Sequence, residues 1–161
     1  MWHRCWHRCC PSRPVRARTP LTVRRAAARM TGSGWTNAGG STESRVGVPL
    51  VLMLYPREHH DLADLRDERA AELGVLSTHI ARHMESLPHI ARAHVYRIGD
   101  GGAHLHMWFF ARPEGQAQLY GSWLVVWDDL LPEYPAEPAD ADAAAVADAL
   151  CVSYGGRRPP D

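Results

Sequence analysis

The sequence has no apolar run long enough to cross a membrane, because its longest one, over residues 46–55, is short and contains Pro49. The N-terminal residues also lack the apolar segment that marks a secretory signal peptide. A chain of 161 residues is long enough for one domain with a modest core. We therefore expect a one-domain cytoplasmic protein that does not bind membranes.

Cysteine is scarce outside the first ten residues. Three of the four cysteines lie there and only Cys151 lies elsewhere, so a disulfide framework for the core is not expected. The N-terminal set His3, Cys5, His7 and Cys9 does not have the ligand spacing of a structured zinc module. The sequence therefore predicts no metal site and no cofactor.

Lysine is absent: all 18 basic residues are arginines, and they balance 18 acidic residues. Residues 1–45 hold nine arginines and one acidic residue, whereas residues 128–161 hold two arginines and eight acidic residues. The middle of the chain, residues 46–127, is nearly neutral. Because a nucleic-acid groove needs a basic stripe on the folded part, this distribution argues against nucleic acid as a partner.

Residues 1–45 contain a near-repeat of Trp-His-Arg-Cys, followed by Arg, Pro, Gly and Ser. They show no period that would bury one face of a helix or strand, so we expect a disordered basic extension and linker. A segment with this composition and no hydrophobic period also fits translated sequence that was never selected to fold. The short tail, residues 155–161, is predicted to be disordered as well.

Residues 46–154 alternate between strand and helix patterns. The patterns predict, in order, a buried strand from Val46, a long helix over Asp64–Leu87, a strand hairpin over residues 91–112, a short helix over Ser122–Leu131 and an Ala-rich helix over Asp140–Ser153. This order predicts an α+β domain with an antiparallel sheet.

The stretch Ile98–Pro113 sets two histidines one residue apart, directly after a Gly-rich turn. Since alternate residues of a strand share a face, His104, His106 and Trp108 would face a groove, and the apolar residues between them would point into the core. Neutral imidazole attacks phosphorus readily, and the Gly101–Gly102 turn lets backbone N–H groups approach an anion. Taken alone, the pattern also fits an ordinary amphipathic strand with two half-exposed histidines.

Several further motifs accompany this strand in a fixed order over residues 54–113. They are Pro56, Arg57 and His59 at the end of the first strand, Leu62 and Leu65 before the long helix, Gly99 to Gly102, His104 and His106, and Arg112–Pro113. In this order and spacing, the sequence resembles the histidine-triad (HIT) superfamily. The C-terminal stretch QAQLYGSWLVVWDDLLP resembles an actinobacterial HIT-like group, here with an HxHxW variant of the triad.

The resemblance implies a HIT-like domain over residues 46–154, with a long helix packed on an antiparallel sheet and C-terminal helices. It implies a nucleotide phosphohydrolase or nucleotidyltransferase in which His106 attacks an α-phosphate and forms a nucleotidyl-histidine intermediate. In that scheme His104 holds the phosphate and orients the nucleophile, and His59 is a nearby hydrogen-bond partner. The substrate would be a nucleotide, a nucleotide sugar or a dinucleotide. The covalent step needs no protein-bound metal, and the resemblance also implies a homodimer.

Further contacts to the substrate or its phosphate are expected from Trp108, Gly101, Gly102 and Gln118. Trp108 stands at the position of the superfamily's third histidine, and indole has one N–H donor and no acceptor, so it cannot relay a proton. Residues that match the usual N-terminal part of the domain are missing upstream of Val46. Two alternatives therefore stay open: a non-catalytic nucleotide- or phosphate-binding HIT-like module, and a truncated, inactive HIT-like protein.

Overall fold

The computed structural model describes residues 35–38, 47–99 and 104–155, the first of these ranges for its backbone alone. Its elements are β1 (Trp35–Ala38), β2 (Val51–Pro56), α1 (Asp67–Glu85), β3 (Ile90–Arg97), β4 (Met107–Pro113), α2 (Leu124–Asp128) and α3 (Ala136–Ser153), with 3₁₀ helices at Leu62–Asp64 and Ala117–Leu119. The described chain is α+β, as the sequence predicts. No helix in these ranges combines the length and the apolar character that a membrane span requires.

The sheet has the strand order β1-β2-β4-β3, and neighbouring strands run antiparallel. β3 and β4 form the predicted hairpin, with Tyr96 opposite Trp108. β1 lies inside segment 1–45, for which the sequence predicts disorder, but its backbone pairs with β2. Pairing with an open strand edge uses backbone groups and needs no hydrophobic period, so the pattern of side chains does not reveal it. The rest of that segment and residues 156–161 lie outside the described residues.

One face of the sheet, called the helical face below, is covered by α1 and α3. Its buried residues are apolar and come from strands, helices and loops: Leu50, Leu52, Leu54, Leu73, Leu76, Ile80, Met84, Ile90, Leu105, Phe109, Ala111, Ala143, Val146 and Leu150. Those on α1 recur every three or four residues and so form one stripe. The helix begins at Asp67 rather than at the predicted Asp64, because Asp64 forms a capping box with Asp61 on the preceding 3₁₀ helix.

The opposite face is covered by one returning segment, Glu114–Leu131, called the covering segment below. The buried residues of this second cluster are Val48, Val51, Phe110, Leu119 and Leu124. Asp128 fastens the end of the segment, because its Oδ1 accepts hydrogen bonds from the backbone N–H groups of Gly47 at 2.8 Å and Val48 at 3.1 Å. Burial raises the pKa of the Asp128 carboxyl group. A Cβ at position 47 would lie 2.8 Å from the Asp128 carbonyl oxygen, so this close approach requires glycine.

Candidate active site

His104 and His106 lie in the three residues that precede β4. The alternating sequence pattern predicts that both lie in a strand, but the paired strand begins at Met107. The backbone here bonds instead to the loop after β2: the N–H of Leu105 donates to the carbonyl oxygen of His60 at 2.7 Å. Leu105 is fully buried, whereas both histidines are partly exposed, so their side chains still point to opposite sides. The loop after β2 and the start of β4 thereby meet beside the histidines.

His104 forms contacts through both of its ring nitrogens. Its Nε2–H donates to the carbonyl oxygen of Pro56 at 3.0 Å. Its Nδ1 lies 3.3 Å from Nδ1 of His59, and its ring meets that of Tyr55 edge-on, with the centroids 5.9 Å apart. When both rings are neutral, Nδ1 of His104 is the acceptor, and His59 donates through its own Nδ1. The structure thus brings His59 from the loop after β2 into contact with His104.

His106 is held in one tautomer by a backbone acceptor. Its Nδ1–H donates to the carbonyl oxygen of His104 at 2.8 Å. Because this bond uses the proton on Nδ1, the neutral imidazole keeps its lone pair on Nε2. An imidazole nitrogen with a lone pair is the form that attacks an electrophilic centre. The arrangement therefore provides a nitrogen nucleophile at the start of β4.

Asp61 and Arg97 form an ion pair near His106 that is not among the residues predicted from the sequence. The Asp61 carboxylate accepts a hydrogen bond from the Arg97 guanidinium and another, at 2.7 Å, from the backbone N–H of Leu62. The bond from Leu62 and then the one from Arg97 lower the pKa of Asp61, and the charge of His106 acts in the same direction. The pair ties the loop that carries His59 to the last residue of β3. Its one sequence signal is the capping-box spacing of residues 61 and 64.

Trp108 packs into the face under the covering segment. Its ring stacks on Phe110 with the centroids 5.7 Å apart and the planes 20° apart. The same ring meets His106 edge-on at 5.9 Å. Its indole Nε1 is buried and has no hydrogen-bond partner among the residues described. In this conformation the N–H is closed off from a ligand, and ring surface is what Trp108 offers beside His106.

Solved structures resemble this architecture over most of the chain. A zinc-bound histidine triad family protein from Mycobacterium smegmatis is similar with a TM-score of 0.53 and 16% sequence identity, over 80% of this chain and 86% of that one. A HIT-like protein involved in cell-cycle regulation from Bartonella henselae has a TM-score of 0.54 and 14% identity, over 78% of this chain and 88% of that one. This chain has the histidine triad fold. No family model matches its sequence, and no curated protein does.

The histidine triad fold confirms the predicted architecture, an antiparallel sheet with the long helix α1 packed on it and further helices after β4. β1 adds a strand upstream of β2, in the part of the chain where no residues match the resemblance. The candidate site lies where the loop after β2 meets the start of β4. Within the described ranges, no group of three or more His, Cys, Asp and Glu side chains could hold a metal ion.

Three predicted substrate contacts remain, namely Gly101, Gly102 and Gln118. Gly101 and Gly102 lie outside the residues that the structure describes. Gln118 lies in the 3₁₀ helix of the covering segment, with an exposed side chain, and its carbonyl oxygen accepts a hydrogen bond from the Ser122 hydroxyl at 3.4 Å. In the histidine triad fold of this chain, the described cluster therefore consists of His59, His104 and His106.

Proposed function

We propose that this chain is a member of the HIT superfamily, of the actinobacterial HIT-like group, and acts as a nucleotide phosphohydrolase or nucleotidyltransferase through His106. The observation that carries the proposal is the 2.8 Å hydrogen bond from Nδ1–H of His106 to the carbonyl oxygen of His104. It leaves the Nε2 lone pair available for attack. The proposal includes a nucleotide, nucleotide sugar or dinucleotide as substrate, a cytoplasmic location and a homodimer.

In the proposed reaction, Nε2 of His106 attacks the α-phosphorus of the substrate. The P–N bond to His106 forms as the bond from phosphorus to the leaving group breaks, and the leaving atom, which is an oxygen or, in a phosphoramidate, a nitrogen, departs with the electron pair. An oxygen of water or of a second acceptor then attacks the same phosphorus and releases its proton to the solvent, and the electron pair of the P–N bond returns to Nε2. Hydrolysis and nucleotidyl transfer differ in the acceptor alone, so both pass through the same intermediate.

His104 and His59 support this reaction. The carbonyl oxygen of His104 fixes the tautomer of His106. The hydrogen bond from the His104 ring to the carbonyl oxygen of Pro56 holds His104 in place. The Nδ1 atoms of His59 and His104 are 3.3 Å apart, so when both rings are neutral one proton, that of His59, lies between these two atoms. A second proton would make the pair cationic and suited to bind a phosphate oxygen. Neither step requires a bound metal.

Capture of the nucleotidyl-histidine tests the proposal. Wild-type protein mixed with a nucleoside phosphoramidate or a dinucleoside polyphosphate, then quenched and digested, should carry the nucleotide on His106 in peptide mass spectra. His106→Asn should lower turnover by about a thousandfold or more, because the covalent route is lost. His79→Asn is the matched control, since His79 lies on α1 and contacts Ser153 of α3. Unchanged turnover in His106→Asn, or no adduct on this residue, would contradict the proposal.

A second candidate function is a HIT-like module that binds a nucleotide without turning it over. Trp108 favours it, because indole offers no acceptor and its N–H is buried, so the leaving group lacks the proton donor that an imidazole would supply. Trp108→His separates the two functions: it should raise turnover if that donor alone limits the reaction. Nucleotide-dependent thermal stabilisation without product in both proteins supports the binding module. No stabilisation by any nucleotide or by phosphate counts against it.

A further inference from the structure

Arg112 is a buried arginine without an acidic partner among the described residues. Only 8% of its surface is exposed, and its Nη1 is buried without a hydrogen-bond partner. The guanidinium group instead contacts the ring of Tyr120, whose centroid lies 4.4 Å from Cζ. A cation–π contact attracts the charge but provides no acceptor for the N–H groups. Within the part of the chain that the structure describes, the positive charge of Arg112 is therefore buried without a counter-ion.

The other buried charged residue of the described chain shows the usual arrangement. Asp142 is 9% exposed and pairs with His89 at 2.6 Å. Buried charges are generally paired or bound to an ion, because removing a charge from water costs a large free energy. A buried group without a partner points to a bound water or ion, or to a functional role. Arg112 departs from the pattern that Asp142 follows.

The cross-strand neighbours of Arg112 add positive charge. Arg92 lies opposite it on β3, and His94 lies on the same face of β3, two residues farther along. Like charges directly opposite each other destabilise a strand pair. Glu85 contacts Arg92 at 3.5 Å, and the Arg92 side chain is 65% exposed. Burial, and then the charges of Arg112 and Arg92, lower the pKa of His94. Of these three basic side chains, Arg92 is the one that pairs with Glu85.

The covering segment closes over this group without neutralising it. Tyr120 lies over Arg112 and is itself 66% exposed. Gln116, which lies between Arg112 and Tyr120 in the sequence, has a buried Oε1 with no hydrogen-bond partner among the described residues. The hydroxyl of Tyr96 lies 3.0 Å from Nδ1 of His94. The covering segment therefore contributes aromatic and amide groups here, but no described carboxylate that pairs with Arg112.

We propose that Arg112 and His94 bind a small oxyanion, a phosphate or carboxylate group, between β4 and the covering segment. Guanidinium groups bind such anions through charge-assisted hydrogen bonds, and a bound anion would also relieve the repulsion between Arg112 and Arg92. Arg112 lies six positions after His106, or about 20 Å along a strand. The site is therefore separate from the candidate active site, and the inference does not depend on the proposed reaction.

Calorimetric titration of the full chain with inorganic phosphate, at constant ionic strength, tests this site. Wild-type protein should bind phosphate saturably, and Arg112→Gln should bind it about tenfold more weakly or worse, because a hydrogen bond to a charged group is lost. Arg69→Gln is the matched control, since Arg69 pairs with Glu72 on α1. A parallel titration with acetate tells a carboxylate site from a phosphate site. Equal affinity in Arg112→Gln, or no saturable binding of either anion to the wild type, overturns the proposal.

The imidazole of His94 gives a second readout on the wild type, which decides the matter even if Arg112→Gln does not fold. An anion beside this ring favours the imidazolium, so phosphate or acetate should raise the pKa of His94 in an NMR titration. The charged and titratable groups that face the ring are Arg112, Arg92, Glu85 and the Tyr96 hydroxyl, and they are identical with and without the anion. If neither anion changes the pKa of His94, the proposal is overturned, even where phosphate binds at the histidine cluster. The experiment therefore distinguishes failure of this site from failure of the proposed reaction.

Discussion

The two faces of the sheet are built differently. The helical face is covered by α1 and α3, and the buried Asp142 beside it has a partner in His89. Within the described ranges, the other face is covered by the covering segment alone. The buried side-chain atoms that have no hydrogen-bond partner in the described chain all lie on this face or in the covering segment: Trp108 Nε1, Arg112 Nη1 and Gln116 Oε1. Because unsatisfied polar atoms reduce stability, we expect the helical face to contribute more to the stability of the fold than the other face does.

Phe109 and Phe110 test this division most directly, because they are adjacent on β4 and point to opposite faces. Phe109 is 0% exposed in the large helical cluster, and Phe110 is 2% exposed in the smaller one. Phe109→Ala should lower the free energy of unfolding by about 3 to 5 kcal/mol. Phe110→Ala should cost about 1 kcal/mol less, because a covering segment relaxes into a cavity more readily than two packed helices do. Urea unfolding of both variants measures the difference. Equal costs would show that the faces do not differ in stability.

Much of the helical face is predictable from the sequence because burial leaves a period. The repeat of Leu73, Leu76, Ile80 and Met84 predicts α1, and the alternation around Leu105 predicts which side of the chain is inside. The proximity of His59 to His104 is implied by the resemblance, not by any period. The hydrophobic periods and the family motif both consist of side-chain types at fixed spacing, so they can be read from the sequence.

The contacts that determine the candidate site and the Arg112 site leave no such period. Leu105 bonds to the loop after β2 through its backbone, and Asp61 pairs with Arg97 across 36 positions of sequence. The burial of Arg112 depends on Tyr120 returning over it in the covering segment. Each of these contacts forms once and between distant residues, so local patterns carry no trace of it.

Two aspartates should change stability with pH in opposite directions. The pKa of Asp128 is raised above its ordinary 3.8 by burial, so the folded state binds its proton more tightly and stability falls as pH rises from 3.8 through the folded pKa. The pKa of Asp61 is lowered from 3.8, so its contribution is present above 3.8 and is lost as pH falls through the folded pKa. In urea unfolding at a series of pH values, Asp128→Asn should remove the loss of stability as pH rises. Asp61→Asn should remove the loss of stability as pH falls.

Asp128→Ala complements this pair, because it removes the acceptor from Gly47 and Val48 and so releases the end of the covering segment. It should cost about 1 to 3 kcal/mol, since it leaves backbone N–H groups without a charged acceptor. If Asp128→Asn and Asp61→Asn shifted the pH dependence in the same direction, the assigned environments of the two carboxyl groups would be wrong.

The smallest expected effect concerns the attachment of the covering segment to the edge of the sheet. The Tyr96 hydroxyl lies 3.0 Å from His94 and accepts a hydrogen bond from the backbone N–H of Leu124 at 3.4 Å. Tyr96→Phe should cost about 1 kcal/mol and speed hydrogen exchange at the Leu124 amide, because that N–H loses its acceptor. Tyr154→Phe is the matched control on the helical face, where its hydroxyl donates to Glu72 at 2.8 Å. If both variants changed Leu124 exchange alike, the effect would be global, and the hydroxyl of Tyr96 would not hold the covering segment to its face.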